Sequence, residues 1–131
     1  MKTILVDAIN TFIIENKESK YEINKNLFDL LESYDNRKII VTNANNEQML
    51  KFGLDKMPYE VFSLKHNPDK IDSEYFKILL TLYNLEAKDI IYFEHNKDAV
   101  ESASSLGIIS FYYYKEKRDL ISLKEFLDKN I

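Results

Sequence analysis

The sequence predicts an α/β fold: a three-layer αβα sandwich on a five-stranded parallel sheet, with a short flap after the first strand. Three observations predict it. Short apolar runs alternate with amphipathic stretches, the pattern of βα units around a parallel sheet. The runs are almost free of polar residues, as strands covered on both faces must be. Finally, polar residues able to do chemistry stand directly after three of the runs. These are Asp7, Thr42 with Asn43, and Glu94, all at the carboxyl edge of the sheet, where open α/β folds bind ligands.

The elements follow in order. The run Thr3-Ile4-Leu5-Val6 makes a first strand over residues 2–7, ending in Asp7. Residues 11–22 are too polar for a core helix and too long for a tight βα loop, so they predict a flap or small hairpin over the strand tips. Ile23, Leu27, Leu30 and Leu31 share one helical face, which gives the first helix. Residues 38–42 form the second strand, 45–54 a short helix stopped near Gly53, and 59–62 the third strand. A long helix covers 73–83, and the fourth strand covers 89–93. Ala99, Val100, Ala103 and Leu106 make a narrow stripe that lets a helix sit close to the sheet, with Gly107 placed to end it in a left-handed turn. The fifth strand spans 108–113, where Tyr112, Tyr113 and Tyr114 read as strand packing and edge cover. Leu120, Leu123, Phe126 and Leu127 line the last helix.

Composition narrows the classes. A length of 131 residues suits one domain, 1–131, and 45% hydrophobic with 13% aromatic residues can offset the ordering entropy despite 31% charged ones. A net charge of −4 disfavours nucleic acid as a partner, because a phosphate-backbone binder normally carries a basic face. There is no cysteine, and the nitrogen ligands are only His66 and His95, so a structural zinc site is not expected. No apolar run approaches the ~20 residues that span a bilayer, and the N-terminus lacks the apolar segment of a secretory signal, so the chain reads as cytoplasmic.

Four motifs at strand ends, in order, carry a family resemblance. They are Asp7-Ala8-Ile9-Asn10-Thr11, Val41-Thr42-Asn43, Lys70-Ile71-Asp72-Ser73-Glu74-Tyr75-Phe76, and the stretch from Ile90 through Glu94-His95-Asn96-Lys97-Asp98 to Ala103. The chain resembles the haloacid dehalogenase-like (HAD) superfamily of phosphohydrolases over nearly all its length. In that family the first strand ends in a nucleophilic Asp, the second in Ser or Thr, a Lys opens a helix, and acids spaced as Glu94 and Asp98 hold a metal. The resemblance implies a Rossmann-like HAD fold and an Asp7 that attacks a phosphoryl group to form an aspartyl phosphate, with Thr42 and Lys70 steadying the phosphoryl oxygens. It implies Mg²⁺ held by Asp7, the main-chain carbonyl of Ile9, and Glu94 or Asp98. Thr11, Asn10, Asn43 and His95 are then placed to touch a small phosphorylated substrate. Asn10 replaces the usual Gly and tolerates positive φ.

The string departs from the family in one place that matters. Two residues after the nucleophile the family carries an acid that protonates the leaving group and later activates water, and here that residue is Ile9. Such a group is typically worth about 10²–10⁴-fold. The sequence therefore predicts a weak or specialised Mg²⁺-dependent phosphatase, suited to acyl or aryl phosphates, whose leaving groups need no proton. Dehalogenases of the family also lack this acid, but the chain is too short for their helical cap. Substrate choice then falls to the flap or to a second subunit covering a capless site. Two rivals stand beside this reading. One is a non-catalytic HAD-like binding or regulatory module. The other is a metal-dependent ribonuclease of the PIN or NYN type, whose strand-end Asp and nearby Asn are similar to Asp7 and Asn10. Lys65 competes with Lys70 for its role, Asp98 equally suits a helix first turn, and Thr42 and Asn43 are good capping residues.

Overall fold

A computed structural model describes all residues, 1–131. Its elements run β1 (Thr3–Asp7), β2 (Ile13–Glu15), β3 (Tyr21–Ile23), α1 (Lys25–Glu32), β4 (Lys38–Thr42), α2 (Asn46–Lys51), β5 (Glu60–Ser63), α3 (Glu74–Tyr83), β6 (Ile90–Glu94), α4 (Lys97–Ser104), β7 (Ile109–Tyr112) and α5 (Leu120–Asn130). Five strands make one parallel sheet in the order β5-β4-β1-β6-β7. β1 is central, and the chain builds outward from it first on one side and then on the other. The switch point, and with it the natural ligand crevice, therefore lies at the carboxyl end of β1.

Side-chain alternation sorts the strands onto two cores. Ile4, Val6 and Ile40 face one way and pack with Leu27 and Leu31 of α1 and Leu123 and Leu127 of α5. Leu5, Ile39, Val41 and Tyr92 face the other way, against Tyr75, Phe76 and Leu79 of α3 and Ala103 of α4. The sandwich thus has three layers. Asp7 and Glu94 end β1 and β6 in phase with Leu5 and Tyr92, which aims both carboxylates toward the α3 side.

The segment after β1 is a hairpin, β2 antiparallel to β3. It is rooted by Phe12 and Ile13 in the core, while Tyr21 sets its ring edge-on to Phe52 at 4.7 Å. Asn24 caps α1 at the Leu27 N–H and donates its amide to the Thr11 carbonyl. A capping box of Asn45 and Gln48 starts α2, and Gly53, at φ 69°, turns the chain out of it. Gly107, at φ 87°, does the same after α4.

One expectation is corrected: Lys70 does not open the helix, because α3 begins at Glu74. Asp69 Oδ1 accepts the Ile71 N–H and Asp72 Oδ1 the Glu74 N–H, at 3.1 and 2.9 Å. These local bonds hold the chain in turns until residue 73 and leave Lys70 on a loop at the sheet edge.

Tyr75 locks α3 to that edge. Its hydroxyl accepts the Thr42 N–H at 3.1 Å and lies 2.9 and 3.0 Å from the Thr42 and Phe62 carbonyls, bridging β4 and β5. Tyr75→Phe keeps the ring packing and strands these backbone groups, so it should cost about 1–3 kcal/mol in urea unfolding.

Candidate active site

Asp7 ends the central strand with 1% of its surface exposed, and a carboxylate so placed must be satisfied from within. Its Oδ1 accepts from Lys70 Nζ at 2.7 Å. Its Oδ2 accepts the Thr11 hydroxyl at 2.7 Å, the His95 N–H at 3.3 Å, and His95 Nδ1 in a close contact. Glu94, at the tip of the neighbouring strand, is fully buried. Its Oε1 takes Lys70 Nζ at 2.8 Å and the Tyr92 hydroxyl, and its Oε2 takes the Asn96 N–H at 3.1 Å and lies 3.3 Å from His95 Nδ1. One ammonium and one imidazole therefore bridge the same two carboxylates. With His95 protonated, the four charges sum to zero.

The protonation pattern follows. Burial opposes the Asp7 charge, but Lys70 and His95 outweigh it and hold the carboxyl well below the usual carboxylate range. Burial and the charge of Asp7 push Glu94 up, against the pull of Lys70. Lys70 is held protonated beyond the ordinary lysine range because the two carboxylates overcome its desolvation. His95 loses solvation as well, yet its bonds to Asp7 and Glu94 raise it to about 9.

Above this quartet lies a cleft of about 170 Å³. Thr42 and Asn43 form its β4 side, Gln48 and His66 its outer rim, and Ile9, Ala44 and Phe52 its apolar wall. Asn43 Oδ1 accepts the Lys70 N–H at 2.8 Å and so fixes the loop that delivers the ammonium. Thr42 Oγ1 accepts the Ala44 N–H at 3.2 Å.

The structure brings together Asp7, Ile9, Thr42, Asn43, Lys70, Glu94 and His95. Thr11 is buried behind Asp7, bonded to it rather than lining the cleft. Asn10 adopts φ 68° and carries the turn after β1. Asp98 lies exposed on α4, outside the cleft and outside the acidic group. Lys65, the rival of Lys70, is exposed.

No family model matches the sequence, and no curated protein matches it. Solved structures do match. A HAD-family enzyme from Bacteroides thetaiotaomicron, an aspartate-to-alanine mutant in complex with magnesium and inorganic phosphate, superposes with a TM-score of 0.64 at 11% identity, over 86% of this chain and 93% of that one. A HAD-superfamily hydrolase from Ehrlichia chaffeensis gives 0.60 at 15% identity, over 95% and 97%. The fold is that of the HAD hydrolases. An uncharacterized protein from Corynebacterium glutamicum matches at 0.65 and 14% identity, over 98% and 96%.

Within this HAD-like fold, Asp7, Glu94 and His95 each offer a donor atom, all within 4.8 Å of one another. Two carboxylates suit a hard divalent cation, whereas the imidazole nitrogen suits it less. Sequence reasoning missed Tyr92, whose hydroxyl bonds Glu94. The signal was present, since residues two apart on a strand share a face and a buried tyrosine hydroxyl needs a partner. It also missed Gln48, Phe52 and His66, which reach the cleft from elements far away in sequence.

Two outcomes are expected. Lys70→Met leaves two buried carboxylates facing each other and should cost about 3–5 kcal/mol in chemical denaturation, a loss that shrinks as pH falls and one acid takes a proton. In the metal-free protein the folded pKa of His95 lies above its unfolded 6.5, so its stabilisation is full below pH 6.5 and disappears as pH rises through about 9. Melting temperature should fall over that window, and His95→Gln should flatten the fall.

Proposed function

We propose that this chain, as a single domain, is a Mg²⁺-dependent HAD-like phosphohydrolase that forms an aspartyl phosphate on a small phosphorylated compound in the cytoplasm. It is weak toward ordinary alkyl phosphates and works on leaving groups that need no proton. The observation that carries this reading is Asp7 at the mouth of the central strand, with Lys70 and Glu94 in contact beside a cleft. The magnesium and phosphate bound by one similar structure support it.

Asp7, Glu94 and the Ile9 carbonyl would hold the ion, and Asp98, exposed on α4, lies outside that group. Bound there, it supplies positive charge that offsets the repulsion between a carboxylate and a phosphoryl group. The rest belongs to the chain. Asp7 is held ionised by Lys70, so it is a nucleophile at neutral pH. Lys70 and the Thr42 hydroxyl, whose proton is uncommitted, donate to phosphoryl oxygens. Asp7 forms a bond to phosphorus as the ester bond breaks, and the leaving oxygen departs with the electron pair. Water then cleaves the acyl phosphate, giving inorganic phosphate and free Asp7. His95 is the contact that must open, because its side chain is 22% exposed while Lys70 is 8% and Thr11 is buried.

One observation favours a second reading, a non-catalytic HAD-like module. Every oxygen of Asp7 and Glu94 already has a partner, and position 9 carries no acid. Acetyl phosphate separates the two readings. Turnover that requires Mg²⁺ and is abolished by Asp7→Asn supports the enzyme; no turnover, together with no Mg²⁺-dependent thermal shift, supports the module. In the enzyme, Ile9→Asp restores the missing proton donor and should raise alkyl phosphate hydrolysis by about 10²–10⁴-fold.

A further inference from the structure

The apolar wall of the cleft lies against chemistry that lacks a proton donor, and the two features select the same kind of substrate. Ile9 stands next to the nucleophile, and Phe52 closes the cleft at the end of α2. The Phe52 ring is fixed in place. Tyr21 of the hairpin meets it edge to face, at 84° and 4.7 Å, and the left-handed Gly53 turns the chain away directly after it. Beside it, one helical turn earlier on α2, Gln48 joins His66 in the polar rim. Gln48 Oε1 takes the Asn45 N–H at 3.0 Å and lies 3.2 Å from His66 Nε2, whose other ring nitrogen lies 3.3 Å from Asp69. These bonds engage the Gln48 oxygen and both His66 nitrogens, and the Phe52 ring beside them gives a flat apolar group a surface to pack on. At about 170 Å³ the cleft lies below the ~300 Å³ at which drug-sized pockets begin, which suits a small substrate.

We infer that Phe52, braced by Tyr21, is the specificity-determining surface for the leaving group, and that the substrate class is a small aryl phosphate monoester. The inference rests on the phosphohydrolase reading for the place of the phosphoryl group, beside Asp7 and Lys70. It also fits Ile9 in the first step, because a phenolate, unlike an alkoxide, leaves with its electron pair and without a proton.

The test compares binding of phenylphosphonate and methylphosphonate, two non-hydrolysable probes, by calorimetry in the presence of Mg²⁺. The proteins are wild type, Phe52→Leu and Phe52→Tyr, each first checked for an unchanged far-ultraviolet spectrum and a cooperative melt. Wild type should prefer the phenyl probe by about 10-fold. Phe52→Leu, which keeps an apolar side chain, should bring that ratio close to one, and Phe52→Tyr should preserve it. Equal binding of the two probes by wild type overturns the inference, as does a preference that Phe52→Leu leaves intact, and binding of neither probe overturns it together with the reading beneath it. Acetyl phosphate turnover is scored separately. A phenyl preference without turnover ends the catalytic reading and keeps Phe52 as the aryl-recognition surface of a binding module.

Discussion

A single ammonium group makes the mouth of this sheet tenable. Asp7 and Glu94 end adjacent strands on the same face, and both are out of contact with water. Two such charges a few ångströms apart repel by roughly 3–4 kcal/mol at an effective dielectric of about 20, before their desolvation is counted. Lys70 Nζ, within 2.8 Å of both, turns that repulsion into attraction. Much of the architecture around it serves to deliver this group. Asn43 holds the Lys70 backbone, Asp69 and Asp72 keep the loop from becoming helix, and Tyr75 fastens α3 to the ends of β4 and β5.

The same arrangement gives the site its guarded character. Lys70 and His95 each bridge the carboxylate pair, so with the imidazole protonated the metal-free quartet is neutral and each oxygen is occupied. An arriving divalent cation competes with the imidazolium for the same two carboxylates. The outer position of His95 makes it the part that yields, while the buried lysine and threonine hold Asp7 in aim. Ile9 gives the cleft hydrophobic character at the position where the family carries its proton donor, and Phe52 adds a second large apolar side chain to the lining.

Much of this was legible in the sequence, for a physical reason. A strand covered on both faces must be apolar along its length, so Asp7 and Glu94 mark their own positions by interrupting the pattern, and period-two alternation then aims them. The helices announced themselves through Leu27 with Leu31, Ala99 with Ala103, and Leu123 with Leu127. What could not be read was set by contacts between residues distant in sequence. Nothing near Phe52 says that Tyr21 will meet it, and nothing near Gln48 says that His66 will arrive from another loop. The start of α3 near residue 73 was read correctly from periodicity, whereas the motif that had Lys70 open it did not hold, because Asp69 and Asp72 spend their side chains on local backbone groups and keep the chain in turns. Asp98 follows the spacing of a motif, yet α4 directs it to solvent.

The placement of β1 has a dynamic corollary. It is hydrogen-bonded to a neighbour along each edge and its residues are almost wholly sequestered, so its amides exchange with solvent only through the rarest, most global openings. The outer rim of the cleft is made differently: Lys65 and His66 sit in an exposed turn, both at positive φ. This turn can unfasten at low cost while the carboxylate-bearing centre stays locked. The fold thus divides labour between a stationary anvil, where bonds to phosphorus would form, and a pliable rim that can admit and release what lies on it.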